Sequence, residues 1–190
     1  MNQFRRDYQI NLSKKNKNEL FVANSSYSLL LYLLLKQANI DEVTFVVGPD
    51  IGKFLGKVSK NVHVVRTGPL GLFSIIYLWF RLGVYRAASF SASNVRIFGH
   101  DHYLPSIFLK KIILIEDGVI NYSITTRKFP TNLVLPNGIP GSGKNVERIY
   151  LTNLQKIPDI IQGKCYLLHP AKLWQNLSED GKRFIKYVFE

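Results

Sequence analysis

Two adjacent carboxylates, Glu116 and Asp117, follow the apolar run 112–115 and precede Gly118. Apolar, largely β-branched runs of this length are typical of buried parallel strands, which deliver polar groups to the carboxyl edge of an α/β sheet. Ligands bind outside that edge, and a glycine there allows a sharp turn with no Cβ in the way of a ligand. A carboxylate in this place can act as a general base. The same two acids also suit a purely structural turn, and the local pattern leaves both interpretations open.

A second polar cluster consists of His100, Asp101 and His102, which follow the predicted strand 94–98. Adjacent parallel strands would place both histidines and Asp117 along one edge of the sheet. Two histidines and a carboxylate suggest a metal, but a third convincing ligand is lacking. We therefore interpret the cluster as substrate-binding and predict no metal site.

A third group of polar residues, Asn24, Ser25 and Ser26, lies between the predicted strand 20–23 and a leucine-rich helix at 27–37. These residue types are preferred at helix N-caps. The first turn of a helix also offers free N–H groups to a ligand. The turn is thus a candidate substrate contact, and ordinary capping is the alternative.

The alternation of strand and helix patterns predicts one α/β domain. The predicted strands are apolar or alternating stretches that mostly end in Gly, Pro or polar residues: 20–23, 43–47, 62–65, 94–98, 111–115, 146–151 and 164–168. Helical patterns occur at 27–37, 51–58, 71–85, 103–110 and after Ser178. This arrangement favours a Rossmann-like parallel sheet flanked by helices. We predict a basic flexible arm at 1–18 and a Rossmann-like domain at 19–190.

The chain is strongly basic, with 25 Lys and Arg against 13 Asp and Glu and a formal charge of +12. Such a charge favours nucleic acid, an acidic membrane surface or a phosphorylated small substrate as partner. The positive residues do not form one long basic tract, which argues against nucleic acid, and we predict none. Peripheral contact with a membrane and a homodimer are left open.

The predicted compartment is the cytoplasm. Cys165 is the one cysteine, so no internal disulfide can form, which suits a reducing environment. The most apolar runs, 29–35 and 70–80, are much shorter than the roughly 20 residues of a membrane-spanning helix. No apolar region follows Arg5 and Arg6, so the sequence predicts no secretory signal. Peripheral association with the inner face of the cytoplasmic membrane remains compatible with the charge.

A glycine-rich stretch at 138–144 has the glycine and lysine spacing of a phosphate-binding loop. In such loops the lysine is followed by Ser or Thr, which holds magnesium, and by a helix whose N–H groups face the phosphates. Here Lys144 is followed by Asn145 and then by a strand pattern at 146–151. We therefore predict a glycine-rich loop that binds no triphosphate.

Taken together, several of these stretches resemble bacterial sialyltransferases, and in particular glycosyltransferase family 52, which includes lipooligosaccharide and capsule sialyltransferases. The family carries a Glu/Asp-Asp-Gly motif and a His-Pro motif. The matching stretches run in the same order along the chain, from about residue 20 onwards: 20–26, 99–102, 115–122 (IEDGVINY), His169-Pro170 and 172–174 (KLW).

The resemblance implies a GT-B architecture, in which two Rossmann-like halves face each other across a cleft. It implies transfer of sialic acid from CMP-sialic acid to a galactose-type hydroxyl, with inversion and without a metal or other cofactor. Asp117 matches the base position of the family, and Glu116 would orient it. The polar groups at 24–26 and 100–102, together with Gly118, would contact substrate, and His169 would contact the nucleotide.

Two features depart from the family pattern. The first is that 190 residues hold a single Rossmann-like half. The second is that the family's His-Pro motif belongs to the nucleotide-binding half, whereas His169-Pro170 follows Asp117 by 52 residues in this chain, so the dipeptide is alternatively a coincidence. The chain resembles the acceptor-side half, and the nucleotide-binding half is expected beyond Glu190. Two other functions remain open at this point. The chain is alternatively a basic Rossmann-like domain that binds a polyanion or acidic membrane without catalysis, or a nucleotide-binding protein that uses Lys144.

Overall fold

The computed structural model describes residues 19–23, 25–40, 43–65, 96–99, 111–117, 139, 141–154 and 157–190. The predicted arm at 1–18 and the predicted helices at 71–85 and 103–110 lie outside these ranges.

Among the described residues, seven strands form one sheet in which every neighbouring pair is parallel. The strands are β1 (Glu19–Ala23), β2 (Val43–Val47), β3 (Val62–Val64), β4 (Arg96–Gly99), β5 (Ile112–Ile115), β6 (Val146–Leu151) and β7 (Cys165–Leu167). Their order across the sheet is β3-β2-β1-β4-β5-β6-β7. The prediction of a Rossmann-like parallel sheet is confirmed, and each strand lies within two residues of its predicted bounds.

The described helices are α1 (Ser26–Leu35), α2 (Pro49–Leu55), α3 (Asp159–Gln162), α4 (Pro170–Gln175) and α5 (Glu179–Phe189). The leucine-rich helix α1 ends two residues before its predicted end. Gln37 and Ala38, which follow it, have positive φ angles of 52° and 61°, which a right-handed helix does not contain. The short helices α3 and α4 were not predicted. In the described ranges, no helix has the length and apolar character needed to cross a membrane.

The central strands β1, β2, β4 and β5 are buried on both faces of the sheet, and successive side chains point to opposite faces. On β1, Phe21 and Ala23 belong to one apolar cluster, whereas Leu20 and Val22 belong to the other. Helices α1, α2, α4 and α5 pack on the first face, and α3 contributes Ile161 to the second. These central strands therefore appear in the sequence as largely apolar runs, because both of their faces are covered. The outer strands β3, β6 and β7 are partly exposed.

The strand order changes direction at β1. The chain moves outward from β1 through β2 to β3, and then returns to the other side of β1 with β4 and the later strands. In open α/β sheets such a switch point is where ligands bind, outside the carboxyl ends of the strands. Gly99, at the end of β4, has a φ of +101°, and a Cβ there would lie 1.9 Å from the carbonyl oxygen of Val22. Only glycine permits this close approach of β4 to β1.

The amino end of β1 is tied to α1 by a buried carboxylate. Glu19 is 6% exposed, and it accepts hydrogen bonds from the Tyr32 hydroxyl at 3.1 Å and from Lys36 Nζ at 2.7 Å. Burial, together with the negative charge of Glu19, raises the pKa of Tyr32 well above its ordinary value. Tyr32 therefore stays a neutral donor, and the two bonds satisfy a carboxylate that would otherwise be costly to bury.

The last two helices return to the first face of the sheet. Helix α4 packs beside α1, and α5 packs beside α2. The ring of Phe189 in α5 lies 5.5 Å from the ring of Phe54 in α2, measured between centroids. Ser178 caps α5 as predicted, because its side chain accepts a hydrogen bond from Gly181 N at 3.1 Å.

Candidate functional site

The candidate site lies at the carboxyl edge of the sheet, where α1 begins and where the neighbouring strands β5 and β6 end. The polar residues that follow β5 and β6 are connected by hydrogen bonds to each other and to the first turn of α1. We call this group the edge cluster; its members are Ser25, Tyr27, Ser28, Glu116, Asp117 and Thr152.

Glu116 is the buried acid of the predicted pair, with 2% of its surface exposed. Its Oε2 accepts two hydrogen bonds from Thr152, from the backbone N at 2.5 Å and from Oγ1 at 2.7 Å. A buried carboxylate is costly unless donors satisfy it, and Thr152 supplies two of them. Glu116 thus joins the ends of β5 and β6. Its predicted role in orienting Asp117 stays a prediction.

Asp117 is half-buried and lies at the first turn of α1. Its Oδ1 accepts a hydrogen bond from Ser28 Oγ at 3.2 Å, and the same hydroxyl donates to the Glu116 carbonyl oxygen at 2.9 Å. The positive end of a helix dipole favours negative charge in the first turn. Asp117 therefore combines partial access to solvent with a fixed position, as a general base requires.

The first turn of α1 is held by its own cap. Ser25 is the N-cap residue, and its Oγ accepts a hydrogen bond from Ser28 N at 3.1 Å. The alternative interpretation of the polar group at 24–26, ordinary helix capping, is therefore confirmed at Ser25. Ser26 is exposed at the first helical position, and Asn24 lies outside the described residues. Whether Ser25 and Ser26 contact substrate stays a prediction.

Tyr27 connects the same helical turn to β6. Its hydroxyl donates to Thr152 Oγ1 at 3.2 Å, and its side chain is 37% exposed. Thr152 Oγ1 thus accepts from Tyr27 and donates to Glu116, so one hydroxyl continues the chain of hydrogen bonds. Sequence reasoning missed Tyr27, Ser28 and Thr152. The one available signal was that Thr152 directly follows a strand, as Asp117 nearly does.

His169 lies on the same edge of the sheet but two strands away from Asp117, beyond the end of β7. Neighbouring strands are about 4.8 Å apart, so the two backbones are separated by roughly 10 Å. The His169 side chain is exposed at the N-cap position of α4 and makes no capping hydrogen bond there. It is not part of the edge cluster, and its contact with a nucleotide stays a prediction.

Four predicted substrate residues, His100, Asp101, His102 and Gly118, lie outside the described residues. Their expected proximity to Asp117 therefore stays a prediction. Within the described part of the chain, no three His, Cys, Asp or Glu side chains are grouped so that they could hold a metal ion.

The described part of the glycine-rich stretch, 139 and 141–144, leads into β6 at the amino edge of the sheet, opposite the edge cluster. The strand predicted after it is confirmed as β6. Lys164 Nζ donates to the carbonyl oxygens of Gly141 at 3.2 Å and Gly143 at 2.7 Å. These carbonyls bind a cation, whereas a phosphate loop presents N–H groups at the carboxyl end of a strand. The prediction that Lys144 binds no triphosphate therefore gains a geometric reason.

The surroundings of Cys165 lower the reactivity of its thiol. Burial raises the pKa of its thiol from 9.0 to about 11, and its Sγ donates to the carbonyl oxygen of Ile161 at 3.2 Å. Since the thiolate is the reactive form, a raised pKa lowers reactivity at neutral pH.

We expect native Cys165 to react with Ellman's reagent at pH 8 about 100-fold more slowly than the same cysteine in the urea-unfolded chain. The reason is the roughly hundredfold smaller thiolate fraction, and the native rate should keep rising with pH up to about 11. Stopped-flow absorbance measures both rates. Equal rates in the native and unfolded chains would show that the thiol is not protected.

The sequence was compared with family models, solved structures and curated proteins, and a similar protein was found among the curated ones. No family model matches the sequence, and no solved structure matches it. An uncharacterized protein of Haemophilus influenzae is 30% identical to the chain over 179 residues. The match covers 88% of this chain but 56% of the relative, so the chain spans about half the length of the protein it matches. The name of the relative assigns no activity.

Proposed function

We propose that this chain is the acceptor-side half of a sialyltransferase-like, inverting glycosyltransferase with a GT-B architecture. It would take CMP-sialic acid as donor and a galactose-type hydroxyl of a surface polysaccharide or lipooligosaccharide as acceptor. The observation that carries the proposal is the position of Asp117. It is a half-buried carboxylate at the carboxyl edge of a parallel sheet, hydrogen-bonded to the first turn of α1. It also lies in the Glu-Asp-Gly sequence on which the family resemblance rests.

The proposed step is a single displacement. Asp117 takes the proton of the acceptor hydroxyl while the hydroxyl oxygen bonds to the anomeric carbon of sialic acid. The bond from that carbon to the phosphate oxygen breaks on the opposite face, and CMP leaves as the phosphate monoester. This gives inversion with one base on the acceptor side. No metal or cofactor enters the proposal.

The surroundings of Glu116 and Asp117 support different roles for the two acids. Glu116 is 2% exposed and has its Oε2 bonded twice to Thr152, so it can support the site while a substrate cannot easily reach it. Asp117 is more exposed and lies at the edge where ligands bind in parallel α/β sheets. We therefore assign the proton transfer to Asp117 and an orienting role to Glu116.

The nucleotide part of the donor is expected to bind largely outside this chain. The relative in Haemophilus influenzae is longer, and this chain covers 56% of it. The proposal therefore places the cytidine in a second Rossmann-like half. The basic composition suits a donor with a phosphate and a carboxylate, and it also allows peripheral contact with the inner face of the cytoplasmic membrane.

The proposal is tested by a transfer assay and a binding assay. We expect the product of the complete reading frame that contains this chain to transfer sialic acid from CMP-sialic acid to lactose, with equal rates in magnesium and in EDTA.

By calorimetry, the 190-residue chain should show no measurable CMP binding. Saturable micromolar binding of CMP to the 190-residue chain would contradict the division into two halves and would make His169 a nucleotide ligand. No transfer by the complete product, with salt-sensitive binding to anionic vesicles, would favour the non-catalytic alternative.

A further inference from the structure

Ser28 is a fully buried hydroxyl in the first turn of α1, a helix otherwise composed largely of leucine. Its Oγ lies within hydrogen-bond distance of three oxygens from two parts of the chain. These are Ser25 Oγ at 3.2 Å, the Glu116 carbonyl oxygen at 2.9 Å and Asp117 Oδ1 at 3.2 Å. A buried hydroxyl with three oxygen neighbours has few ways to arrange its single proton.

The direction of these hydrogen bonds follows from counting donors. The Glu116 carbonyl can only accept, and an ionised Asp117 can also only accept. Ser28 must therefore point its one proton toward these two oxygens, shared between them. Ser25 Oγ already accepts from Ser28 N at 3.1 Å, and its own proton is then directed to Ser28 Oγ. The result is a fixed sequence of donors from Ser25 through Ser28 to Asp117.

We infer that Ser28 is a positioning residue for the general base, an inference that rests on the proposed function. A hydrogen bond to Oδ1 restricts rotation about the Cα–Cβ bond of Asp117, and it thereby sets where Oδ2 lies. Because Ser28 is part of α1 and also holds the backbone at Glu116, the carboxylate is fixed relative to both α1 and β5. Proton transfer depends on such placement, and a displacement of about 1 Å costs on the order of 100-fold in rate.

The direct test measures the side-chain rotamer of Asp117 by NMR, from the three-bond couplings of its Cγ to the backbone N and carbonyl carbon. We expect one rotamer in the wild-type chain and averaged couplings in Ser28→Ala. Ser28→Thr keeps a hydroxyl and should restore the single rotamer. Ser178→Ala is the control, because it removes a serine hydroxyl at the start of another helix, where Ser178 caps α5 by accepting from Gly181 N. Wild-type couplings in Ser28→Ala would overturn the inference.

A kinetic test separates this inference from the proposed function. In the complete protein, Ser28→Ala should lower kcat roughly 10- to 100-fold with little change in the KM for acceptor, and Ser28→Thr should recover most of the loss. An unchanged kcat in Ser28→Ala, in a protein that transfers sialic acid, would overturn the positioning role and leave the function standing. Averaged couplings in Ser28→Ala without transfer by any form would support the Ser28–Asp117 contact and overturn the function.

Discussion

Replacing Asp117 with asparagine is expected to lower the rate constant of sialic acid transfer by about 10²–10⁴-fold, which is the usual contribution of general-base catalysis. The amide keeps the size of the carboxylate and an oxygen that can accept from Ser28, but it cannot take the proton of the acceptor hydroxyl. The loss should therefore appear in kcat rather than in the KM for donor or acceptor. Steady-state kinetics of the complete protein measure both constants.

The control for Asp117→Asn is Glu116→Gln, which removes the neighbouring charge instead. Its Oε1 can still accept from Thr152, so the tie between β5 and β6 should survive, and the loss of rate should be smaller than for Asp117→Asn. Urea unfolding of both variants checks that neither effect is a loss of folded protein. Equal activity of Asp117→Asn and wild type would end the general-base proposal.

The largest expected effect on stability comes from Gly99→Ala. The new Cβ would lie 1.9 Å from the carbonyl oxygen of Val22, and the φ of +101° is one that alanine rarely adopts. The obstacle is backbone in the centre of the sheet, so β4 must move away from β1. Unfavourable φ and overpacking each cost about 1–3 kcal/mol, and we expect the free energy of unfolding to fall by roughly 3–5 kcal/mol. Urea titration followed by circular dichroism measures this change.

Gly163→Ala is the matched control for that substitution. Gly163 follows α3 with a φ of −63°, and a Cβ there would meet nothing within 4 Å. An alanine at this position should leave stability unchanged or raise it by about 0.4–1 kcal/mol, because it restricts the unfolded chain. A loss of similar size in both variants would show that the close approach of β4 to β1 is not the cause.

The central strands could be predicted from sequence because both of their faces are buried. Burial of both faces makes these strands largely apolar runs, and the run at 43–47 was predicted at its observed bounds. The outer strand at 146–151, with Glu147 exposed, was predicted from its alternating pattern instead, also at its observed bounds. The strands at 94–98 and 111–115 were predicted to be parallel neighbours, and β4 and β5 are. The rest of the strand order was not predicted, because an apolar run does not state which neighbour it pairs with. The change of direction at β1 depends on long-range contacts such as that between Gly99 and Val22. In the sequence, the one sign of this contact is that position 99 is a glycine.

The candidate site could be predicted only where its residues directly follow a strand. Glu116 and Asp117 were found by that rule. Ser28 was missed because a serine in a leucine-rich helix is expected on the side that faces solvent. In the structure it is fully buried. Its partners lie 88 and 89 residues away, so no local pattern contains the pair.

The contact between Phe54 and Phe189 has a consequence for synthesis of the protein. The two rings are about 135 residues apart in the chain, and ribosomes add about 5–20 residues per second. Phe54 is therefore added to the chain roughly 7–27 s before Phe189. During that interval Phe54 lacks the aromatic partner it has in the finished fold. The nascent chain thus carries an incomplete apolar surface on α2, which chaperones that bind exposed apolar segments can recognise until α5 is synthesised.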